Sequence, residues 1–530
     1  MFTGKGERIR RFHVPLFLLL TSLLFLLVAT AVSAAPATVE PTKQTALDWL
    51  DRPETMDEFG KVSDAVWSYA ELGLQEYKSS KLLADTLEAA GFKVERGLAG
   101  MPTCFVGTWG EGKPVIGILG EFDALAMLSQ KAGSAVQDPV VAGAPGHGCN
   151  HNTMATAGIA AAIAVKETLQ KYGLPGTIKF FGSPSEETVI SRPYMVRAGL
   201  FKDVDAVIDN HGGSNFGTSY GVSGNALFSF TVTFHGKTAH AAGAPWAAIS
   251  ALDAVELMNH AVNMLREHLY ITHRIHYVIT EGGEAPNVVP DKATVWYFVR
   301  DTDDKVEQDY QKVLNAAKAA ALATGCTYDV RLYTAVHQRY NSKAAAELYQ
   351  KNIELVGYPE WSDEDIAYAK ALQATLGVEQ VGLNTTVRPL RVPSGTFIGG
   401  GSSDVAEVTL VAPCATINFP TNVPGATSHH WSTVSASGSP IAHKGLIAGA
   451  KAMAASAIDL LTKPEELRKL RVEFEKLQAE HPYKCYIPEG TEPPLDMYDQ
   501  LMKKYRPLME AFYYDPTSSE PMMADYTLQK

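Results

Sequence analysis

The chain has 530 residues, more than one compact core usually holds, so two domains are the starting expectation. It carries 58 acidic against 46 basic side chains, a formal net charge of -12, and no basic patch interleaved with aromatics, which excludes nucleic acid as a natural partner. Five scattered cysteines, Cys104, Cys149, Cys326, Cys414 and Cys485, show no framework spacing, and the odd count flags at least one unpaired thiol.

Lys5, Arg8, Arg10 and Arg11 precede the apolar run Val14–Thr30 and then Val32-Ser33-Ala34-Ala35-Pro36. A positive start, an apolar stretch and small residues predict a cleaved signal peptide over 1–35 and a periplasmic or secreted enzyme body. Contact with a membrane is expected only if this segment stays uncleaved, since the run approaches the lower limit for spanning. After a polar lead-in, Met56–Glu76 and Ser79–Ala90 read as amphipathic helices, and Gly91-Phe92-Lys93-Val94 begins strand pairing.

Gly146-His147-Gly148-Cys149-Asn150-His151-Asn152 puts a thiol and an imidazole two residues apart, just ahead of a small-residue helix over Thr153–Ala162. Thiolate and imidazole are preferred ligands of borderline-soft divalent ions, whereas a buried structural Cys beside a hydrogen-bonded His is the plainer alternative. Thr177–Phe181 is a short strand followed by Glu186-Glu187, an adjacent carboxylate pair that is costly unless something positive lies between. Val204–Ile208 is a second buried strand and delivers Asn210-His211 at its end, so strand ends aim ligand-type side chains one way, as at the carboxyl edge of open α/β sheets. Between 224 and 336 the pattern changes to strand (Leu227–Phe234), helix (Pro245–Leu265), two strands (Arg274–Ile279, Ala293–Val299), helix (Asp303–Ala323) and strand (Tyr328–Leu332). That order is a split βαβ unit, with one sheet edge left to pair or be hidden. Residues 337–462 return to the first domain and carry His429-His430-Trp431 in a Pro- and Gly-rich loop, and 463–530 read as a helix followed by an extended surface segment. Cys149, His151, Glu187, His211 and His429 make five candidate ligands, enough for two metal ions sharing one of them.

The fold class expected is therefore α/β: a domain over 36–223 and 337–462 with a central, mostly parallel sheet flanked by helices, an inserted α+β domain at 224–336, and an extension at 463–530. The segments Gly120-Glu121-Phe122-Asp123-Ala124-Leu125, Gly143–Asn152, Pro184-Ser185-Glu186-Glu187, Gly236-Lys237-Thr238-Ala239-His240-Ala241, Asn287-Val288-Val289-Pro290-Asp291, Gly401-Ser402-Ser403-Asp404-Val405 and His429-His430-Trp431 carry a resemblance. Together, over roughly 44–460, they resemble the dinuclear metallopeptidase and amidohydrolase family that includes hippurate hydrolase, the auxin-conjugate hydrolases and aminoacylase-like enzymes. The chain departs from that family's usual pattern at Asn150, where a Gly is common, and at Ser185, where an Ala is common.

The resemblance implies two divalent ions, Zn²⁺ or Mn²⁺, on Cys149, His151, Glu187, His211 and His429, with His430 the competitor for the last place. It implies Glu186 as general base, Asp123 as the orienter of a ligating His, and His240 as an oxyanion partner supplied across a homodimer by the inserted lid or dimerisation domain. The activity implied is metal-dependent hydrolysis of small N-acyl amino acids or dipeptides, aminobenzoyl-glutamate among them, whose free carboxylate would seek an Arg fork; Arg300, Arg388 and Arg391 are the candidates. A noncatalytic binding protein on the same fold, and an amidase using Cys149 as nucleophile with His151 as base, are the alternatives.

Overall fold

The central sheet gathers strands from across the chain in a computed structural model that describes residues 39–393 and 400–529; the expected leader lies outside them. In chain order the strands are β1 Lys93–Arg96, β2 Phe105–Glu111, β3 Val115–Glu121, β4 Gly176–Ser183, β5 Ala206–Gly213, β6 Gly217–Thr218, β7 Gly221–Ser223, β8 Ala226–His235, β9 Arg274–Glu281, β10 Lys292–Asp301, β11 Thr327–Val336, β12 Arg339–Asn341 and β13 Cys414–Pro420. Seven form one sheet in the order β1-β2-β4-β3-β5-β13-β6. Its middle four, β4, β3, β5 and β13, run parallel, and antiparallel partners close both edges. The parallel strands are buried on both faces and read as continuous apolar runs, as β3 does with all seven residues buried.

Two long helices pack against this sheet and each other, His151–Tyr172 and Pro440–Thr462. Both are rich in Ala and buried almost all round. Pro440–Thr462 is long and apolar enough to cross a membrane, yet 89% of its apolar window is buried in this core. The second sheet, β11-β8-β10-β9, is wholly antiparallel, and helices Ala251–Leu265 and Asp303–Thr324 pack on it around a separate apolar cluster built on Phe230, Val232, Val255 and Val295. The chain thus has a mixed α/β body with a mostly parallel sheet and a distinct sheet unit within 224–336.

Two expectations need correction. The helix expected over Met56–Glu76 spans Pro53–Tyr69 and follows a helix at Pro41–Leu50 in the stretch read as a polar lead-in; it stops short of Glu76 because Ala70 turns left-handed and Glu71 is used elsewhere. The buried Glu71 carboxylate accepts from the amides of Lys78 and Ser79, both at 2.9 Å, and so caps the next helix, Tyr77–Ala89. The extension is also more than a helix and a surface strand: after Pro464–Glu480 it forms a second helix, Asp499–Met509, that packs back onto the body. Arg506 Nη2 donates to Gln75 O at 2.8 Å, and Gln75 Nε2 to Leu495 O at 3.0 Å.

Strand β3 and helix His151–Tyr172 approach closely because Gly120 and Gly158 face the contact. A Cβ added at Gly120 would lie 2.3 Å from the Phe180 ring and 3.0 Å from the Ala155 backbone. Since Glu121 follows Gly120 and His151 opens the helix, this spacing sets the distance between two site residues. Gly120→Ala is expected to cost about 1–3 kcal/mol by overpacking, read as a lower urea midpoint, and to weaken binding of divalent metal as the two elements separate.

Candidate metal centre

The carboxyl ends of β3, β4 and β5 deliver acids and an imidazole to one place. Glu121 ends β3 with Asp123 two residues on, Glu186 and Glu187 follow β4, and His211 lies near the end of β5. Cys149 and His151 enter at the N-terminal end of helix His151–Tyr172, and His429 from the loop before helix Trp431–Ser437, tied there by its amide to Gly148 O at 2.8 Å. Non-glycine residues in these turns are left-handed, among them Asn150 (φ 65°), Ser185 (φ 57°), Val189 (φ 62°) and His429 (φ 60°). Asn tolerates that conformation better than most non-Gly residues, so Asn150 holds the left-handed turn between Cys149 and His151 without a glycine.

His151 is fully buried, and its Nδ1 lies 2.8 Å from Asp123 Oδ1. The other Asp123 oxygen accepts the Glu187 amide at 2.9 Å, so one carboxylate orients both residues. Cys149 Sγ lies 3.6 Å from His211 Nε2, and His429 Nε2 lies 3.2 Å from Glu187 Oε2. Two donor groups result, Cys149–His151–His211 and Cys149–Glu187–His429, in each of which the ligand atoms all lie within 4.8 Å of one another. They share Cys149. His430 instead turns its Nδ1 to Ser432 at the start of the following helix.

The electrostatics match a site made for cations. Burial opposes ionisation of the Cys149 thiol, yet His211 and His151 hold it well below its ordinary value. Burial likewise works against charge on His211, but the Cys149 thiolate lifts it to about 9, and hydrogen bonds to Cys149 and Glu187 lift His429 to about 10. Burial and then the Cys149 charge push Glu187 up to about 7; burial, Glu121 and Asp404 push Glu186 well above the usual carboxylate range. His151 Nε2, Glu187 Oε1 and Glu121 Oε2 are buried without a hydrogen-bond partner among the described residues.

These donors fit a divalent ion. An ion about 2.3 Å from sulfur and about 2.0–2.1 Å from nitrogen or oxygen places tetrahedral S–N pairs about 3.5 Å apart and N–O pairs about 3.3 Å apart. The Cys149–His211 and Glu187–His429 separations, 3.6 and 3.2 Å, lie close to those edges.

Other predicted residues lie apart from this cluster. His240 is exposed in the inserted unit, and its Nδ1 accepts from the amides of Ala242 and Gly243 at 3.2 and 3.1 Å. Arg300 sits on β10 with its guanidinium over the Phe298 ring, while Arg388 and Arg391 run beside Phe216–Thr218 through backbone bonds. All five cysteines are free. Sequence reasoning missed a charged chain behind the centre. Arg192, fully buried, pairs with Glu121 at 2.8 Å and with Asp404. An Arg opening a short buried helix, Ser191–Arg197, was the available signal, since a guanidinium is rarely buried unpaired. It also missed Tyr498, whose hydroxyl, brought back by the extension, is pushed up to about 12 by burial and by the charges of Asp123 and Glu187.

The M20 peptidase dimerisation domain matches residues 224–324. Over 459 residues, 82% of this chain and 95% of the other, the sequence is 36% identical to one of the subunits of the p-aminobenzoyl-glutamate hydrolase of Escherichia coli. It is 30% identical to the Xaa-Arg dipeptidase of Mus musculus over 84% of this chain and 96% of that protein. Among solved structures, a provisionally named aminohydrolase from methicillin-resistant Staphylococcus aureus shares the fold, with a TM-score of 0.55 at 19% identity over 79% of this chain and all of that one.

The Asp123 contacts carry a test. Asp123→Asn keeps the shape but replaces one accepting oxygen by a donor, which leaves the His151 ring less well oriented. Metal affinity is expected to fall about 10–100-fold, the usual cost of losing such a partner, measured by titration against a competing chelator.

Proposed function

The chain belongs to the M20 peptidase family of peptidases and amidohydrolases, and from that premise we propose that it hydrolyses the amide bond of small N-acyl amino acids or dipeptides, using two divalent ions at the centre. The observation that carries this reading is the pair of donor groups joined at Cys149. Cys149, His151 and His211 would hold one ion, and Cys149, Glu187 and His429 the other. The thiolate and imidazole donors favour Zn²⁺, with Mn²⁺ the alternative. When bound, such ions polarise an amide carbonyl and lower the pKa of a water toward about 7.

The chain's own residues do the rest. Asp123 fixes the His151 tautomer so that Nε2 faces the centre. Glu186, beside the ligands without belonging to either shared group, takes the proton of the attacking water and passes it to the departing amine. The negative oxygen of the tetrahedral intermediate needs a further donor, and the partner subunit's His240 is the residue proposed for it. That role requires a homodimer. Leu257 and Met264 on one helix, with Ile279 on the helix-covered side of edge strand β9, are 41%, 62% and 41% exposed and offer an apolar strip for a second copy. The substrate class follows the similarity to aminobenzoyl-glutamate and dipeptide hydrolases, with a free carboxylate on the leaving half. The basic and apolar N-terminal segment supports a periplasmic or secreted enzyme.

Purified protein is expected to hold close to two ions per chain and to cleave aminobenzoyl-glutamate or another member of an N-acyl amino acid panel; a metal-free chain that still turns over would return the case to Cys149 as nucleophile. Glu186→Gln is expected to keep both ions while kcat falls about 10²- to 10⁴-fold, the contribution of a general base. Near-normal turnover would remove that assignment. His240→Ala is expected to be nearly inactive as well. Mixing the two variants under subunit exchange should restore activity approaching half that of the wild-type dimer, because one site in each heterodimer regains both groups. Lack of recovery despite demonstrated exchange would show that His240 does not act across the interface.

A further inference from the structure

Behind the shared donor groups lies a third set, Glu121, His151 and Glu186, whose ligand atoms also fall within 4.8 Å of one another. Glu121 is 2% exposed, and its Oε2 lies 3.3 Å from His151 Nε2. The two atoms face each other at that distance, and neither makes a hydrogen bond among the described residues. His151 turns Nδ1 to Asp123 at 2.8 Å, which directs the other ring nitrogen, Nε2, at Glu121 Oε2. Two buried ligand-type atoms that face each other without a hydrogen bond fit a cation placed where both can reach it. Their separation matches the about 3.3 Å expected of an oxygen and a nitrogen on one tetrahedral ion.

Arg192 is not that cation. It takes the opposite oxygen, Glu121 Oε1, at 2.8 Å and is itself held by Asp404, which also accepts the Arg192 amide and the Ser191 hydroxyl, each at 3.0 Å. Glu121, Arg192 and Asp404 are all buried, so the guanidinium fixes the carboxylate at one end and leaves the other directed at His151.

We propose that Glu121 is a sixth protein ligand, giving Oε2 to the divalent ion that His151 binds, with Arg192 and Asp404 as the positioning residues that present it. This rests on the paired-metal reading of the centre, which the test separates from the new assignment. Protein stripped with a chelator is titrated with Zn²⁺ and, separately, Mn²⁺ against a competing chelator, and its melting temperature is followed with and without metal. Wild type is expected to take two ions. Glu121→Gln is expected to lose affinity for one of them by at least the about 10–100-fold that even an indirect partner costs, keep the other within a few fold, and show a smaller metal-induced rise in melting temperature.

A purely structural role predicts a different result, a lower melting temperature of the metal-free variant with both affinities unchanged, and would overturn the assignment while leaving the centre intact. Wild type that takes up neither metal would overturn both. Should Glu121→Gln not fold, Glu121→Asp keeps the charge facing Arg192 and shortens the arm by one methylene; the same loss of one affinity supports the assignment, and two unchanged affinities refute it.

Discussion

Too much negative charge in too little water is the constraint on which the rest of this structure turns. Glu121, Asp123, Glu186, Glu187 and Asp404 converge with the Cys149 thiol at one end of the central sheet, most of them buried, and among the described residues Arg192 is the permanently charged cation paired inside the cluster. Such a gathering is unstable unless positive charge arrives. Histidines supply part of it, which is why His211 and His429 titrate far above an ordinary imidazole beside the thiolate. Divalent ions would supply the remainder, and the unsatisfied atoms of His151, Glu187 and Glu121 mark where that charge would be used.

Much of this was legible in the sequence, for reasons that differ by residue. Cys149 and His151 sit two apart at the start of a helix, so their convergence needs no tertiary information. Glu187 and His211 could be placed because each follows an apolar strand, and parallel strands present their ends on one edge. The strand and helix order within 224–336 was readable for the same reason: alternating and helical periods are local. The Glu121–Arg192–Asp404 chain was not legible, because its members lie 71 and 212 residues apart and nothing local pairs the two acids with that Arg, though both stand in singled-out motifs. Glu71 misled in the opposite sense. Its helical pattern continues from the preceding helix, but its carboxylate caps the next one, and the cap decided where the chain turned.

The backbone at the centre is held by neighbours rather than by preference. Left-handed Asn150, Ser185 and His429 each cost energy that only a rigid surround can maintain, and such positions concentrate where geometry is used. Gly120 and Gly158 provide the surround on one side by letting strand and helix touch. Glu76 provides it on another, accepting the Ser185 amide at 2.8 Å, one residue from Glu186.

That last contact belongs to a loop whose other side is held by the far end of the chain. Arg506 reaches Gln75 across 431 positions, and Glu71, on the same loop, offers its carbonyl to the amide of Ala124, next to Asp123. During synthesis the strands and the helix that carry the donor side chains emerge long before this support. The loop that steadies Asp123 and Ser185 therefore has its Arg506 anchor only once the final tenth of the polypeptide has been made. Contacts this distant in sequence form slowly, so the support of Asp123 and Ser185 depends on a part of the chain remote from the residues it steadies.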